Sequence, residues 1–157
     1  LYEMLTAREN LAFYGKLHGL KASEIRDRGE QLLEGVGLNE RADELVGTWS
    51  GGMQRRLNLV TALLHEPSIL FLDEPTVGID VQSRTAIWTL LESINQAGTT
   101  IVYTSHHLEE AERLCSRVVI VDHGKVIGEV EDPGAKGGAD RLEAYFLGLT
   151  GKEFRDR

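Results

Sequence analysis

Asp73 and Glu74 stand together directly after the apolar run Ile69–Leu72. That run reads as a fully buried strand. A strand end is where such a pair could do chemistry: in a nucleotide hydrolase one carboxylate holds magnesium, usually through water. The other orients or deprotonates the attacking water. The dipeptide alone reads more commonly as the acidic start of a solvated loop. The longer string LFLDEPTVGID is far more specific, because Pro75 fixes the backbone after the acids and Gly78 and Asp80 follow in the same loop.

Ser50, Gly51 and Gly52 sit where a helix should begin. Unpaired N–H groups at a helix start favour an anion, and glycines let a phosphate approach closely. A plain N-cap with a glycine turn explains three such residues as well, and more often. The surrounding GTWSGGM has Gly47 and Gly52 at phosphate-loop spacing, yet Met53 stands where lysine belongs and no strand precedes it. The frame GxxxxGK[ST] occurs nowhere in the 157 residues. His106 follows the β-branched run Thr99–Thr104, on the sheet edge expected to carry Asp73. It could hydrogen-bond a γ-phosphate or the attacking water, or it could cap the next helix. His106 and His107 make a poor metal pair, since neighbouring residues rarely converge on one ion. Cys115 reads as a small buried apolar residue, Trp49 and Trp88 as packing residues, and Glu109, Glu110 and Glu112 as a solvated helix face.

Charge narrows the classes further. Seventeen Lys plus Arg against 25 Asp plus Glu leave a net charge of −8. An acidic balance argues against general nucleic-acid binding, which needs a basic surface. The longest apolar runs, Ile69–Leu72 and Val118–Val121, have four residues each, and a membrane helix needs about 20. A single cysteine forms no internal disulfide and fits a reducing cytosol. The sequence opens on Leu1, so the native N-terminus is expected upstream.

These residues need elements to position them. Thr6 and Glu9 read as a capping box opening a helix to about Lys16. Ser23 is expected to cap a second helix with Ile25, Leu32, Leu33 and Val36 on one face. A short helical stretch over Glu40–Leu45 comes next. The helix starting at Ser50–Gly52 carries Met53, Leu57, Val60 and Leu64 and ends before Pro67. Asp80 should cap a helix bearing Ile87, Leu91 and Ile94. Strand Thr99–Thr104, a helix over Leu108–Leu114, strand Val118–Val121 and a His123-Gly124 turn into Lys125–Val130 follow. A loop over Asp132–Asp140 and a short helix Leu142–Leu147 close the chain. Helical block followed by alternating strands and helices predicts an α/β protein with a parallel sheet and right-handed crossovers. Ligands in such sheets bind beyond the carboxyl ends of the strands.

Taken together, TWSGGMQRRLNLVTALLHEPSILFLDEPTVGID and TTIVYTSHHLEEAERLCSRVVIVDHGKVI strongly resemble the ATP-binding-cassette (ABC) ATPases, over nearly the whole chain. The flanks LTARENLAFYGKLHGL and LEAYFLGLTGKEFRD resemble the bacterial exporter branch. The resemblance implies the C-terminal part of a P-loop NTPase (RecA-like) parallel-sheet core preceded by an α-helical subdomain. Residues 1–65 would be the helical signature subdomain, 66–131 the Walker B, D-loop and H-loop part of the core, and 132–157 a loop and terminal helix. Ser50, Gly51 and Gly52 would be the signature that contacts ATP, Asp73 the Walker B aspartate on Mg2+, Glu74 the catalytic glutamate, Asp80 the D-loop aspartate and His106 the switch histidine. Trp49 replaces the commonest leucine and Met53 the commonest glutamine. The Walker A loop, the adenine-stacking aromatic and the glutamine loop are expected upstream of Leu1, and the stretch from Ile127 to Leu142 is shorter than the family's.

The implied function is the ATPase subunit of an exporter. It would pair head to tail with a second ABC ATPase subunit and drive membrane-spanning permease subunits from the cytoplasmic face, with no nucleic acid as partner. A non-transport ABC ATPase of translation or DNA repair, or a truncated binding module, is the alternative. The 157 residues alone are expected to be inactive. In the family's sheet, the Walker A strand lies between those matching Thr99–Thr104 and Val118–Val121. The chain is therefore expected to belong to a longer one, to take a strand from another chain, or to pair these two strands directly.

Overall fold

A computed structural model describes residues 1–134 and 138–150. The chain divides into two compact units, Leu1–Val102 and Tyr103–Arg157.

The first unit opens with α1 (Ala7–Leu17). The Thr6 hydroxyl accepts from the Glu9 N–H at 3.2 Å, and the Glu9 carboxylate accepts from the Thr6 N–H at 2.8 Å, so the expected capping box forms. Helix α2 (Ala22–Gly35) begins earlier than a Ser23 cap would place it. Lys21 is the cap residue, and Glu24 reaches back to accept its N–H at 2.8 Å. A carboxylate at the third helical position thus satisfies the helix start without a capping hydroxyl. Two 3-10 turns, Asn39–Arg41 and Val46–Thr48, replace the helical stretch expected over 40–45. So short a segment cannot repay α-helix nucleation, whereas tighter single turns serve as connectors.

Helix α3 (Gly51–Leu63) packs against α1 and α2; Leu57 and Val60 are buried on it, as are Leu11 on α1 and Leu33 on α2, and Leu64 just beyond its end is also fully buried. Each such side chain stabilises the unit by about 1.5–3 kcal/mol relative to an exposed one. At the far ends of α1 and α3, His18 and His65 stack face to face with ring centroids 3.9 Å apart. Strand β1 (Ile69–Asp73) leads into α4 (Val81–Gln96), whose Ile87 and Leu91 are buried. Strand β2 (Thr100–Thr104) pairs with β1. The Thr100 N–H donates to the Ser68 carbonyl at 2.9 Å, and the Thr99 hydroxyl donates to the Pro67 carbonyl at 3.3 Å. The start of β2 therefore lies against the start of β1, and the strands run parallel with α4 as crossover. The expected full burial of β1 is corrected. Leu70 is 5% exposed, but Ile69 is 54% and Phe71 74% exposed. Successive strand residues point to opposite faces, and only the Leu70 face is covered.

The second unit holds α5 (Leu108–Leu114), β3 (Arg117–Asp122), β4 (Lys125–Glu131) and α6 (Gly138–Thr150). Strands β3 and β4 are antiparallel, with Asp122 opposite Lys125. Between them His123 and Gly124 take φ of 46° and 74°, the two left-handed positions of a type I′ hairpin turn. Helix α6 is longer than the expected Leu142–Leu147 segment. Pro133-Gly134 forms a turn, and residues 135–137 of the expected loop lie outside the described residues. Tyr145 and Leu149 of α6 sit so close over Gly128 of β4 that any side chain there would collide with them. Among the described residues β2 pairs with β1 and β3 with β4, and the Thr100–Thr104 and Arg117–Asp122 strands do not pair directly.

Candidate functional site

Ser50 is the N-cap of α3. Its extended backbone (φ −63°, ψ 155°) lets its hydroxyl accept from the Met53 N–H at 3.3 Å. The two glycines after it serve different ends. A Cβ on Gly51 would meet nothing within 4 Å, so the helix start is open to an approaching group there. A Cβ on Gly52 would come within 2.8 Å of the Ser83 hydroxyl and 3.1 Å of the Asp80 carboxylate. Gly52 is therefore small because α3 and α4 pack together at that point. Packing thus requires a small residue at Gly52 whether or not an anion binds there.

Asp80 caps α4 and accepts from the Ser83 N–H at 2.8 Å and the Ser83 hydroxyl at 2.7 Å. The Ser83 N–H, then its hydroxyl, hold the Asp80 carboxyl below its ordinary pKa, because both bonds favour the charged form. Arg56 lies near enough to feel this charge. Burial lowers the guanidinium's pKa and Asp80 opposes the shift, while Arg56 donates to the Val36 carbonyl at 2.6 Å.

Asp73 ends β1 and Glu74 turns the chain, with φ at 43°. A non-glycine residue in the left-handed region is uncommon and concentrates at functional sites. Pro75 and Thr76 are buried behind it, whereas Asp73 and Glu74 are exposed. Arg55, one turn into α3, grips this loop. Its Nε donates to the Pro75 carbonyl at 3.0 Å, and its Nη2 donates to the carbonyls of Glu74 at 2.7 Å and Asp73 at 3.4 Å. A hollow of about 230 Å3 beside it is lined by Arg55, Asp73, Pro75 and Phe71 among others.

In the second unit, His106 is exposed and its ring lies 4.1 Å from that of His107, tilted by 41°. His107, not His106, is the N-cap of α5, and it makes no side-chain capping bond. The helix-cap alternative for His106 therefore falls. Glu110 overturns the reading of a solvated acidic face: it is 1% exposed. Its Oε2 accepts from the Tyr103 hydroxyl at 2.9 Å and the Ser105 hydroxyl at 2.7 Å, and Ser105 Oγ accepts the His107 N–H at 2.9 Å. The carboxylate is buried because two hydroxyls from the preceding strand and loop meet it there. Cys115 is half-buried rather than buried, and burial raises its thiol pKa. Among the described residues no group of three or more His, Cys, Asp or Glu converges as a metal cage.

Ser50, Gly51, Gly52, Asp73, Glu74 and Asp80 thus all belong to the first unit, where α3 links them, and His106 belongs to the second. Sequence reasoning missed Arg55 and Glu110. The only local trace of Arg55 is a cation five residues after Ser50, at a position that could equally be solvated.

The protein family described as ABC transporter matches residues 1–77. The linearmycin resistance ATP-binding protein LnrL of Bacillus subtilis is 51% identical over 127 residues, covering 81% of this chain and 41% of that protein. The daunorubicin/doxorubicin resistance ATP-binding protein DrrA of Streptomyces peucetius is 42% identical, over 94% of this chain and 50% of its own. The Nod factor export ATP-binding protein I of Cupriavidus metallidurans is 46% identical, over 77% of this chain and 40% of its own. A solved structure described as an ATP binding subunit of an ABC transporter superposes with a TM-score of 0.82 at 29% identity, over 96% of this chain and 64% of that one. The chain spans half or less of the length of these curated relatives. No described helix is long and apolar enough to cross a membrane. Fold, motif order and relatives agree, and the chain belongs to the ABC transporter family of ATP-binding proteins.

Proposed function

We propose that the complete protein is the ATP-hydrolysing subunit of an exporter and that this chain supplies its signature, Walker B, D-loop and switch-histidine segments. The relatives named for drug resistance and Nod factor export support export over a role in translation or DNA repair. In this reading residues 1–65 form the helical signature subdomain, 66–131 the hydrolytic part of the core and 132–157 its terminal appendage. Permease subunits hold the protein at the cytoplasmic face of the membrane.

The single observation that carries the reading is the loop after β1: two exposed carboxylates with Glu74 held left-handed at the strand end. The donor set fits a magnesium nucleotide. Asp73 offers a hard oxygen at the strand end, and the α3 start offers a helix N-terminus beside open space at Gly51. Magnesium, when bound, neutralises developing phosphate charge. Asp73 would hold it, and Glu74 would orient and deprotonate the attacking water. His106 would hydrogen-bond the γ-phosphate. Ser50, Gly51 and Gly52 would serve the γ-phosphate of a nucleotide bound on the head-to-tail partner. That arrangement explains a phosphate site with Met53 in place of a lysine. Asp80 would act beside it, since it packs directly on Gly52.

Glu74→Gln in the complete protein tests the assignment. ATP turnover should fall by about 10²–10⁴-fold while ATP binding persists. Turnover within about threefold of the parent rejects the glutamate's role. The 157 residues alone contain no lysine-bearing phosphate loop and should release no phosphate from ATP.

A further inference from the structure

We propose that Arg55 is the positioning residue that holds Glu74 in its working conformation and ties it to the helix start at Ser50–Gly52; this rests on the hydrolytic reading of Glu74 above. Three observations converge on it. Glu74 has φ of 43°, a conformation unfavourable for a non-glycine residue, which persists where surrounding groups enforce it. The Glu74 carbonyl takes the shortest of the Arg55 bonds, 2.7 Å, and the carbonyls on either side take two more at 3.4 and 3.0 Å. A planar guanidinium is the one side chain whose fixed fork can serve three consecutive carbonyls at once.

The third observation is where Arg55 stands. It is five residues after the α3 N-cap, on a helix that touches the same loop again through Gly52 against Asp80 and Ser83. The segment 73–80 is therefore fastened to α3 at both ends. A helix moves as a rigid element. Whatever displaces the α3 start must move Arg55, and with it the Glu74 backbone. Occupation of one nucleotide site through Ser50 and Gly51 is thereby coupled to the carboxylate serving the other.

Arg55→Ala, Arg55→Lys and Arg55→Gln, made in the complete protein, test this with turnover and ATP binding measured per folded molecule by circular dichroism. Arg55→Ala should lower kcat by about 10²-fold while KM for ATP stays within about threefold, because misplacement of a reacting group by an ångström is that damaging. Arg55→Lys should recover part of the loss, since an ammonium reaches one or two of the carbonyls, and Arg55→Gln less. Ser50→Ala and Arg55→Ala combined should lose less than the product of the single losses. Near-parental kcat in Arg55→Ala, or single losses that multiply to within about twofold, overturns the proposal. Glu74→Gln is measured alongside. If it abolishes turnover and Arg55→Ala does not, only the role of Arg55 falls. If it leaves turnover intact, the hydrolytic reading falls first.

Discussion

Two loops in this chain follow strands and carry the candidate chemistry, and they are held in opposite ways. The loop after β1 is gripped through its main chain. A guanidinium on a neighbouring helix collects three consecutive carbonyls. The loop after β2 is gripped through side chains. The buried Glu110 carboxylate collects two hydroxyls, one of which passes the constraint on to the His107 N–H. A guanidinium steadies the loop of acids and a buried carboxyl group steadies the loop of histidines. The difference also sets how each loop should fail. Loss of Arg55 leaves carbonyls that water can satisfy at the exposed Asp73 and Glu74, whereas loss of Glu110 takes a fully buried acceptor from two hydroxyls.

Glu110→Leu should break the second loop with the largest effect. Two hydroxyls lose their acceptor at about 1–3 kcal/mol each, so the melting temperature should fall by several degrees or more, with turnover falling as well. Unchanged melting and turnover would mean that the buried carboxylate holds nothing. His106→Ala sharpens the comparison, because it removes the candidate ligand and leaves its support. Turnover should drop by about 10²-fold with melting within a degree or two of the parent. The reverse pattern, melting lost and turnover kept, would make His106 structural.

The two glycines of α3 give a smaller contrast. Gly52→Ala must push Ser83 and Asp80 away and should destabilise by roughly 1–3 kcal/mol, while Gly51→Ala should be near neutral for folding. Equal melting of the two variants would refute the division of labour. The smallest effect concerns the stacked imidazoles. Burial, then the neighbouring His18, lower the His65 pKa below 6.5. The unfolded chain therefore binds the proton more readily, and the contribution of this site to stability is present above about pH 6.5 and lost as pH falls through that value toward the lower folded pKa. A melting profile over that window should flatten in His65→Phe by a few degrees at most.

Much of this arrangement was legible beforehand. The Thr6–Glu9 box, the Asp80 cap and the His123-Gly124 turn depend on neighbours within a few residues, and local chemistry decides them. The acid pair and the Ser50–Gly52 start lie where element ends were expected, for the same reason. The holders were not legible. Glu110 lies among three glutamates on a short helix, and only its contacts with Tyr103 and Ser105 distinguish it from Glu109. Arg55 acts across 18 to 20 residues of sequence, a pairing no periodicity reveals. The run Ile69–Leu72 told what the chain can bury, not what is present to cover it.

That half-covered strand has a consequence for the molecule in concentrated solution. Ile69 and Phe71 present an exposed apolar strand face, a surface that favours association. Natural sequences guard such strands with flanking charges. Here Glu66 stands before the run, and Asp73 and Glu74 close it. The carboxylates assigned to magnesium and water thus double as gatekeepers against self-association, in a chain whose net charge of −8 already works in that direction. Neutralising them removes colloidal protection together with the chemistry, and a variant such as Glu74→Gln calls for a check of its association state at working concentration.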